Sequence, residues 1–408
     1  MKRITGFLLV ACLFLNIPIA KAKTTEDELR LQLSAISDYL NSINSKAVLS
    51  EEQLREIIND GVMWTLRAQA ADGSFNYEYR PFAGDYINDN GMVRQAGTLF
   101  MLTEVHKTRT EKPKEEVEVI ENAIRYFAEI SLKGNPDDGE FACIKNATKV
   151  ERCDLGSTAL ALIGIINFVT AHPDKNADYQ ELLDLYSSYL LKAKFPNKGF
   201  SKRYEYNTGF SDTESPFYNG EAMLALVRFY QYEPQEELKT LLHNTFFYLK
   251  DKEYESPLYL WITAALKEMQ ALWPNDEFLT YTFDFTKERL VYSYRRHHTK
   301  NNYCAPLEGL TSAYSILEGG VSTEFLRQLK NEINYWQSKT TALQLKENRP
   351  YRLVLDETGP VLLKVANPYL SHGGFLTSEE VLTQRIDFTQ HCVSSYLQKL
   401  VDIDGVEL

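Results

Sequence analysis

The stretch Gly220-Glu221-Ala222-Met223-Leu224-Ala225-Leu226-Val227 is apolar around nearly its whole circumference when it is wound as a helix. Such a helix has to be enclosed by neighbouring elements, because no face of it is suited to water. The segment before it has apolar residues at helical spacing with polar residues between them: Tyr179, Leu182, Leu183, Tyr186 and Leu190. That stripe predicts a helix with one face on water. Together the two segments predict a hairpin of one outer and one enclosed helix.

This two-part unit recurs along the chain. Enclosed helices are predicted to begin near Met92, Asp154, Gly220, Pro257, Ala305 and Arg385. The loops before them echo one another, with glycine at a turn and an aromatic residue close after it: Asp72-Gly73-Ser74-Phe75, Gly139-Glu140-Phe141, Lys198-Gly199-Phe200 and Gly373-Gly374-Phe375. Six enclosed helices inside six amphipathic ones predict an all-α fold, a six-hairpin α/α toroid. An open solenoid of helix pairs is the alternative, but it needs polar capping helices at its ends.

Short β-hairpins are expected as insertions in this helical framework. Residues 352–355 and 361–365 flank the turn-like Asp356-Glu357-Thr358-Gly359-Pro360, which predicts a β-hairpin in the last unit, at the rim of the ring. Tyr77-Glu78-Tyr79 and Tyr204-Glu205-Tyr206 occur after equivalent turns. Their alternation predicts short strands with outward-facing tyrosines.

Gln69-Ala70-Ala71-Asp72-Gly73-Ser74-Phe75 resembles the Gln-x-x-Asp-Gly-Ser-aromatic signature found across α/α toroids. These proteins include six-hairpin glycosidases with related lyases and epimerases, terpene cyclases, and lanthionine synthetase C-like proteins. The count of six hairpins is most similar to the glycosidase type. The resemblance implies a glycan-active function, although the fold alone supports many activities.

The first residues have the features of an export signal. Lys2 and Arg3 precede a mostly apolar run, and Ala20-Lys21-Ala22 fits a small-x-small cleavage site. Leu9-Val10-Ala11-Cys12 leaves a lipoprotein signal open as the alternative. We therefore expect a signal peptide at 1–22, an N-terminal helical extension at 23–49 and the toroid domain at 50–408, in a periplasmic or secreted protein. Ser50 and Gln53 predict a capping box at the start of the toroid.

Four cysteines remain after cleavage, and an even number in an exported chain permits two disulfides. Cys143 and Cys153 are close in sequence and are expected to pair, which leaves Cys304 with Cys392. A zinc site of Cys304, His372, His391 and Cys392 is the alternative, because lanthionine synthetase C-like toroids bind zinc through Cys and His. Zinc needs three or four converging ligands, so we predict no metal and no cofactor.

The net charge and the lengths of the apolar stretches limit which classes of binding partner are expected. The formal net charge is −12, and loss of Lys2, Arg3 and Lys21 with the leader brings it to −12 − 3 = −15. An acidic chain repels phosphate backbones, so nucleic acid is not an expected partner. Residues 155–169 form the longest apolar stretch after the leader, but about 20 residues are needed to span a bilayer. The expected ligand is an oligosaccharide or another small polar molecule.

In a toroid the leading ends of the inner helices meet in one cleft, where polar groups are the candidates for chemistry. The catalytic candidates are Glu221, Glu308, Asp387 and His391. The binding candidates are Arg94, Gln95, Asp154, Tyr218, Trp261 and His372. Helix capping is the alternative role for each carboxylate, above all for Asp154.

Specific roles follow from the surroundings of these residues. Glu221 is a charge within an apolar helix, so it should be paired or functional. Either Glu221 or Glu308 would be a general acid. Asp387 and His391 are four residues apart and are expected to hydrogen-bond on one helix face as a base. Arg94 needs a carboxylate, either from the substrate or from Asp85 or Asp89.

The sequence thus predicts an exported glycan-active enzyme, a hydrolase, lyase or epimerase that uses cleft carboxylates in acid–base catalysis. Two alternatives stay open at this point. The first is a toroid that binds glycans or peptides without catalysis. The second is a zinc-dependent protein of the lanthionine synthetase C-like type.

Overall fold

A computed structural model describes residues 26–44, 48–87, 89, 91–146, 150–252, 255–291, 303–356 and 359–408. The expected signal peptide at 1–22 lies outside these residues. The α-helices in chain order are α1 (Glu26–Asn44), α2 (Glu51–Arg67), α3 (Met92–Thr108), α4 (Lys114–Ile130), α5 (Leu155–Ala171), α6 (Asn176–Ala193), α7 (Pro216–Tyr232), α8 (Glu236–Lys250), α9 (Tyr259–Leu272), α10 (Asp276–Val291), α11 (Cys304–Leu317), α12 (Thr323–Thr341), α13 (Pro368–Ser371) and α14 (Ile386–Gln398).

Six of the described helices form a closed inner ring: α3, α5, α7, α9, α11 and α14. Each packs against the next, and α14 packs against α3. The outer partners are α2, α4, α6, α8, α10 and α12, one before each inner helix. Because the last inner helix contacts the first, the chain is a six-hairpin α/α toroid, and the open solenoid is wrong.

The inner helices form where the sequence is apolar on every side. In α5 each residue from Leu155 to Val169 is buried, including Ser157, Thr158 and Asn167. Outer helices bury one face only, as in α4, where Glu116, Ile120, Ala123, Ile124, Tyr126 and Phe127 are covered. The capping box at the start of α2 is present, with Ser50 accepting from Gln53.

The loops from outer to inner helices contain short antiparallel strands at one end of the ring. The strands are β1 (Glu78–Arg80), β2 (Asp85–Ile87), β3 (Ser131–Lys133), β4 (Ala142–Ile144), β5 (Arg152–Asp154), β6 (Arg203–Glu205), β7 (Gly209–Phe210), β8 (Tyr351–Asp356), β9 (Gly359–Lys364) and β10 (Gln384–Arg385). The sheet order β10-β1-β2 joins the last loop to the first, and β5-β6-β7 joins the second loop to the third. Ring closure is therefore present in the loops as well as in the helices.

The predicted hairpin in the last unit is β8 paired with β9, with Asp356 opposite Gly359. It packs against α1, where the Tyr351 hydroxyl donates to Glu28 at 2.6 Å. The other two predicted strands are β1 and β6, but their central tyrosines do not face outward. Tyr79 and Tyr204 are fully buried, because these strands lie against the helix ends and turn their central side chain inward.

Three of the four echoing loops share one geometry. Phe75, Phe200 and Phe375 each form an antiparallel bridge to a residue at or just after the end of the preceding outer helix, and all three rings are buried. Gly73 has a φ of 91°, and a Cβ there would lie 2.4 Å from the carbonyl oxygen of Asn122. Glycine is required at this turn because both the backbone conformation and the space exclude a side chain.

Charged side chains fill the opposite end of the ring. Arg228 on α7 pairs with Glu104 on α3 at 3.0 Å and with Glu268 on α9 at 2.6 Å. Lys267 pairs with Asp402, which follows α14, at 2.8 Å. Burial opposes the ionisation of Glu104, but Arg228 and then Lys107 outweigh it and lower its pKa to about 2. These pairs join inner helices at their C-terminal ends, both adjacent ones (α7 and α9) and ones on different sides of the ring (α3 and α7).

We expect Arg228→Met to destabilise the fold by about 3–5 kcal/mol, because removal of the cation leaves Glu104 and Glu268 buried without their main counter-ion. Urea denaturation of the purified chain measures this loss. Arg327→Met is the control, since Arg327 and Glu324 form a pair with side chains 66% and 73% exposed. The control should change the stability by less than about 1 kcal/mol. Equal effects of the two substitutions would contradict the prediction.

Both predicted disulfides are present. Cys143 bonds to Cys153 with a Cα–Cα distance of 5.9 Å, and Cys304 bonds to Cys392 with a Cα–Cα distance of 4.5 Å.

Among the residues that the structure describes, no single helix is long and apolar enough to cross a bilayer. The helix α5 and the segment Pro173–Ala193 reach that length and composition only as a pair, which is bent by 117°.

Candidate active site

A cavity of about 750 Å³ opens at the end of the ring where the inner helices begin. All six inner helices or their leading residues contribute to its wall: Asp89, Gly91, Met92, Val93, Arg94, Asn146, Asp154, Leu160, Phe217, Tyr218, Glu221, Leu260, Trp261, Ala305, Asp387, Gln390 and His391. The walls are apolar for the most part, with a few polar groups that converge on the space. This is the composition of a pocket for a small ligand.

Glu221 lies in the wall formed by α7 and is 2% exposed. Its Oε2 atom is buried and has no hydrogen-bond partner among the described residues. Burial alone raises the pKa of Glu221 to about 8. The carboxyl group is therefore mostly protonated at neutral pH and can donate a proton, as a general acid must.

The neighbouring helix α5 is shaped around this carboxyl group. A Cβ atom at Gly156 would lie 2.0 Å from Oε2 of Glu221 and 2.7 Å from the ring of Tyr218. Burial, and then the charges of Asp154 and Glu221, raise the pKa of Tyr218 well above its ordinary value. Tyr218 thus stays a neutral hydroxyl group beside the acid.

Asp154 occupies the N-cap position of α5, but its side chain makes no capping hydrogen bond. Its Oδ2 atom instead accepts from the Nδ2 of Asn146 at 2.5 Å, and both residues line the cavity. The capping role that the sequence suggested for Asp154 is therefore wrong for its side chain. Asp154, Asn146, Tyr218 and Glu221 form one polar cluster, which we call the α5–α7 wall.

His391 on α14 forms the second polar cluster with Glu308 on α11. Nδ1 of His391 lies 2.5 Å from Oε2 of Glu308, and Glu308 is 1% exposed. Burial would lower the pKa of His391, but the Glu308 carboxylate outweighs burial and raises it. Burial also raises the pKa of Glu308, against the opposing effect of the imidazole. The pair thus holds a proton between two groups beside the cavity.

Asp387 does not bond to His391 as expected. It accepts from Arg385 at 3.0 Å and 2.5 Å through its two oxygens, and Nε of Arg94 approaches at 3.2 Å. A bidentate pair with an arginine two residues away is geometrically stronger than a single bond to a histidine one turn on. The predicted hydrogen bond between Asp387 and His391 is therefore wrong. The partner of Arg94 is Asp387, and neither Asp85 nor Asp89 fills that role.

The ring order places the two proton-bearing groups on opposite walls. From α7 to α14 there are three steps in either direction, through α9 and α11 or through α5 and α3. Glu221 on α7 and His391 on α14 therefore face each other across the cavity. Trp261 on α9 lies between these walls, with its ring centroid 6.1 Å from that of His391. Phe217, 49% exposed, stands at the mouth.

Two binding candidates do not line the cavity. Gln95 is fully buried and exchanges two hydrogen bonds of 2.7 Å with the backbone of Phe75, so its amide supports the loop. His372 lies 3.2 Å from Asp60 of α2 and accepts from the backbone of Glu347. Both residues precede or begin an inner helix in sequence, but their side chains point into the loop packing instead of the pocket.

Asn146 and Gln390 line the cavity but are not among the predicted catalytic or binding residues. Asn146 lies between the two cysteines of a disulfide, which places it near the start of α5 and could have indicated it. Gln390 is 2% exposed with an Nε2 atom that has no partner among the described residues. The sequence shows that Gln390 precedes His391 on the same predicted helix, but it does not show that the Gln390 side chain lines the cavity.

The residues predicted as alternative zinc ligands do not come together in the structure. Cys304 and Cys392 are bonded to each other, and His372 lies outside the cavity against Asp60. Across the described parts of the chain, no three His, Cys, Asp or Glu side chains converge as a metal site. The four residues therefore do not form the set that zinc requires.

No protein family description matches this sequence, and no curated protein does. Solved structures match over nearly the whole chain at low identity. An unsaturated glucuronyl hydrolase specific for heparin has a TM-score of 0.59 and 9% identity, covering 88% of this chain and 100% of that one. The cellobiose 2-epimerase of Spirochaeta thermophila has a TM-score of 0.55 and 14% identity, covering 92% and 98%.

An α-1,6-mannanase of glycoside hydrolase family 76 from Salegentibacter, in complex with α-1,6-mannotetrose, has a TM-score of 0.56 and 10% identity, covering 85% and 98%. These likenesses show the fold that the sequence predicted, the toroid of the six-hairpin glycosidase type. At such identities they carry no catalytic residue over to this chain.

Proposed function

We propose that this protein is an exported enzyme that acts on an oligosaccharide by acid–base catalysis, with Glu221 as the general acid. The observation that carries the proposal is the buried Glu221 carboxyl without a partner, with a pKa of about 8, in the wall of a cavity of about 750 Å³. An unpaired carboxyl group in an apolar helix costs stability, so its retention is best explained by chemistry.

The opposite wall supplies the base. Glu308 orients the imidazole of His391 through Nδ1 at 2.5 Å, which leaves Nε2 for the ligand. A carboxylate that fixes the histidine tautomer also increases its basicity. With the acid on one wall and the base on the other, a sugar between them can receive a proton on one face and lose a proton on the other. Glycoside cleavage, elimination and epimerisation each need such a pair.

Arg94 and Asp387 have a different role in this proposal. The Arg94 side chain is 41% exposed, pairs with Asp387, and stacks 5.2 Å from the ring centroid of Tyr77. Held in this way, the guanidinium group can donate hydrogen bonds to ligand oxygens without a search through rotamers. Asp387 is engaged by two arginines, so it orients them and is not the base.

Two further facts support a sugar ligand. Trp261 between the two walls and Phe217 at the mouth both line the cavity. The apolar face of a sugar ring can pack against such aromatic side chains. The likeness in fold extends to an epimerase of cellobiose, a hydrolase specific for heparin and a mannanase with bound mannotetrose. The export signal predicted at 1–22 and the two disulfides support a periplasmic or secreted location.

The proposal is tested by incubating the wild type with a panel of neutral and uronate-containing oligosaccharides, followed by mass spectrometry and chromatography. Hydrolysis adds a water to the summed products, elimination leaves a double bond, and epimerisation changes retention without a change in mass. We expect one of these outcomes for at least one glycan. Binding of a glycan with no conversion would contradict the enzyme and support the alternative.

A toroid that binds glycans without catalysis remains the second candidate. It predicts an affinity that survives when Glu221, Glu308 and Asp387 are all replaced by their amides. The unpartnered carboxyl of Glu221 favours the enzyme, because a neutral amide would serve a binding wall at a lower cost in stability.

A further inference from the structure

The disulfide between Cys304 and Cys392 lies directly beside the Glu308–His391 pair. Cys304 is the first residue of α11, and Glu308 follows it by one helical turn on the same face. Cys392 is the residue after His391 on α14. Both cysteines are fully buried, and the bond joins two helices of the inner ring across 88 residues of sequence.

We propose that Cys304 and Cys392 are positioning residues, whose bond holds Glu308 within hydrogen-bond reach of His391. This inference rests on the proposed function, because His391 is the base of the proposed reaction. The bond sets the distance between the leading turns of α11 and α14, which carry Glu308 and His391.

The physical reason lies in the opposing effects on His391. Burial lowers the pKa of His391, and proximity to Glu308 raises it. The balance depends on the 2.5 Å separation of Nδ1 and Oε2, because charge–charge interaction and hydrogen bonding both weaken with distance. Two other charged groups affect the pKa of His391 less than Glu308 does: Asp387 raises it and Arg385 lowers it. Because these two effects oppose each other, they do not replace the effect of Glu308 on the imidazole.

The other disulfide provides a matched control. Cys143 and Cys153 also lie at the cavity end of the ring, and they enclose Asn146 of the α5–α7 wall. Their bond lies at the start of α5, which does not pack against α14 or α11 in the ring. Its removal therefore tests the loss of a disulfide as such, without a change at the Glu308–His391 pair.

The experiment is a proton NMR titration of the histidine rings in the purified chain without any glycan. The sequence has seven histidines, and His391→Gln assigns the signal of His391. We expect the double substitution of Cys304→Ala and Cys392→Ala to lower the pKa of His391 by at least about half a pH unit. Glu308→Gln should lower it as well, and the double substitution of Cys143→Ala and Cys153→Ala should leave it unchanged.

A second route reaches the same state with native side chains. Because the bond is buried, the Cys143→Ala, Cys153→Ala protein is unfolded in urea, reduced with dithiothreitol and refolded in its presence. The dithiol gives two electrons and two protons, closes to its own cyclic disulfide, and leaves Cys304 and Cys392 as thiols. The pKa of His391 should fall by the same amount, with far-UV circular dichroism unchanged. An unchanged pKa in the folded protein without this bond overturns the inference. Because no glycan is present, this result is independent of whether any substrate is converted.

Discussion

Glu221→Gln should lower the turnover of any glycan that the wild type converts by roughly 10²–10⁴-fold, the usual contribution of a general acid. The amide has nearly the same shape as the protonated carboxyl group and fits the same space against Gly156. It cannot give up a proton. The effect is therefore expected in kcat, with ligand binding nearly unchanged. Steady-state kinetics over pH 5 to 9 would measure it.

The same substitution should change how stability depends on pH. The pKa of Glu221 is raised from 4.5 to about 8 in the folded protein, so the folded state holds a proton that the unfolded state has released. This contribution is fully present below pH 4.5 and is lost as the pH rises through about 8. Linkage gives it a size of roughly 5 kcal/mol. Glu221→Gln lacks the term, so it should be more stable than the wild type above pH 8.

Glu233→Gln is the matched control for both measurements. Glu233 is the C-cap residue of α7, the same helix, and is exposed to solvent at the end away from the cavity. It should leave the rate and the pH dependence of stability unchanged. If Glu221→Gln retained more than about a tenth of the activity, Glu221 would not be the acid.

The fold was predictable because its main determinant is local. The run from Leu155 to Val169 contains no charged residue, and a helix with that pattern has no face for water. Repetition of the pattern determined the number of hairpins. Closure required only the observation that an enclosed helix follows the last loop. The inward turn of Tyr79 was not local in this sense, because it depends on the helix ends that lie beneath the strand.

The residues of the site also differ in whether local sequence could identify them. Glu221 was identifiable because a single charge within an apolar helix is a local anomaly. The partner of His391 was not, since Glu308 is 83 residues away and meets it only when α11 and α14 become neighbours in the ring. His372 lies in the long segment between α12 and α14, whose path over α2 is set by packing and cannot be read from spacing.

Glu308→Gln should shift the acidic side of the pH–rate profile to lower pH and reduce the rate by roughly 10²-fold. His391 must be neutral to accept a proton, and Glu308 raises its pKa, so the base becomes active only above that raised value. Without the charge of Glu308 the imidazole deprotonates at lower pH, but it is then a weaker base. The rate therefore falls while its acidic limb extends downward.

The alkaline limb of the profile belongs to Glu221 in this assignment, with a midpoint near its pKa of about 8. Glu308→Gln should leave that limb in place, because Glu221 is on the opposite wall. Glu233→Gln is again the matched control, since Glu233 is exposed at the end of α7 away from the cavity and should leave both limbs unchanged. A Glu308→Gln protein whose two limbs both stayed at wild-type positions would show that His391 is not the base, since its charge partner could then be removed without effect on the titrating group.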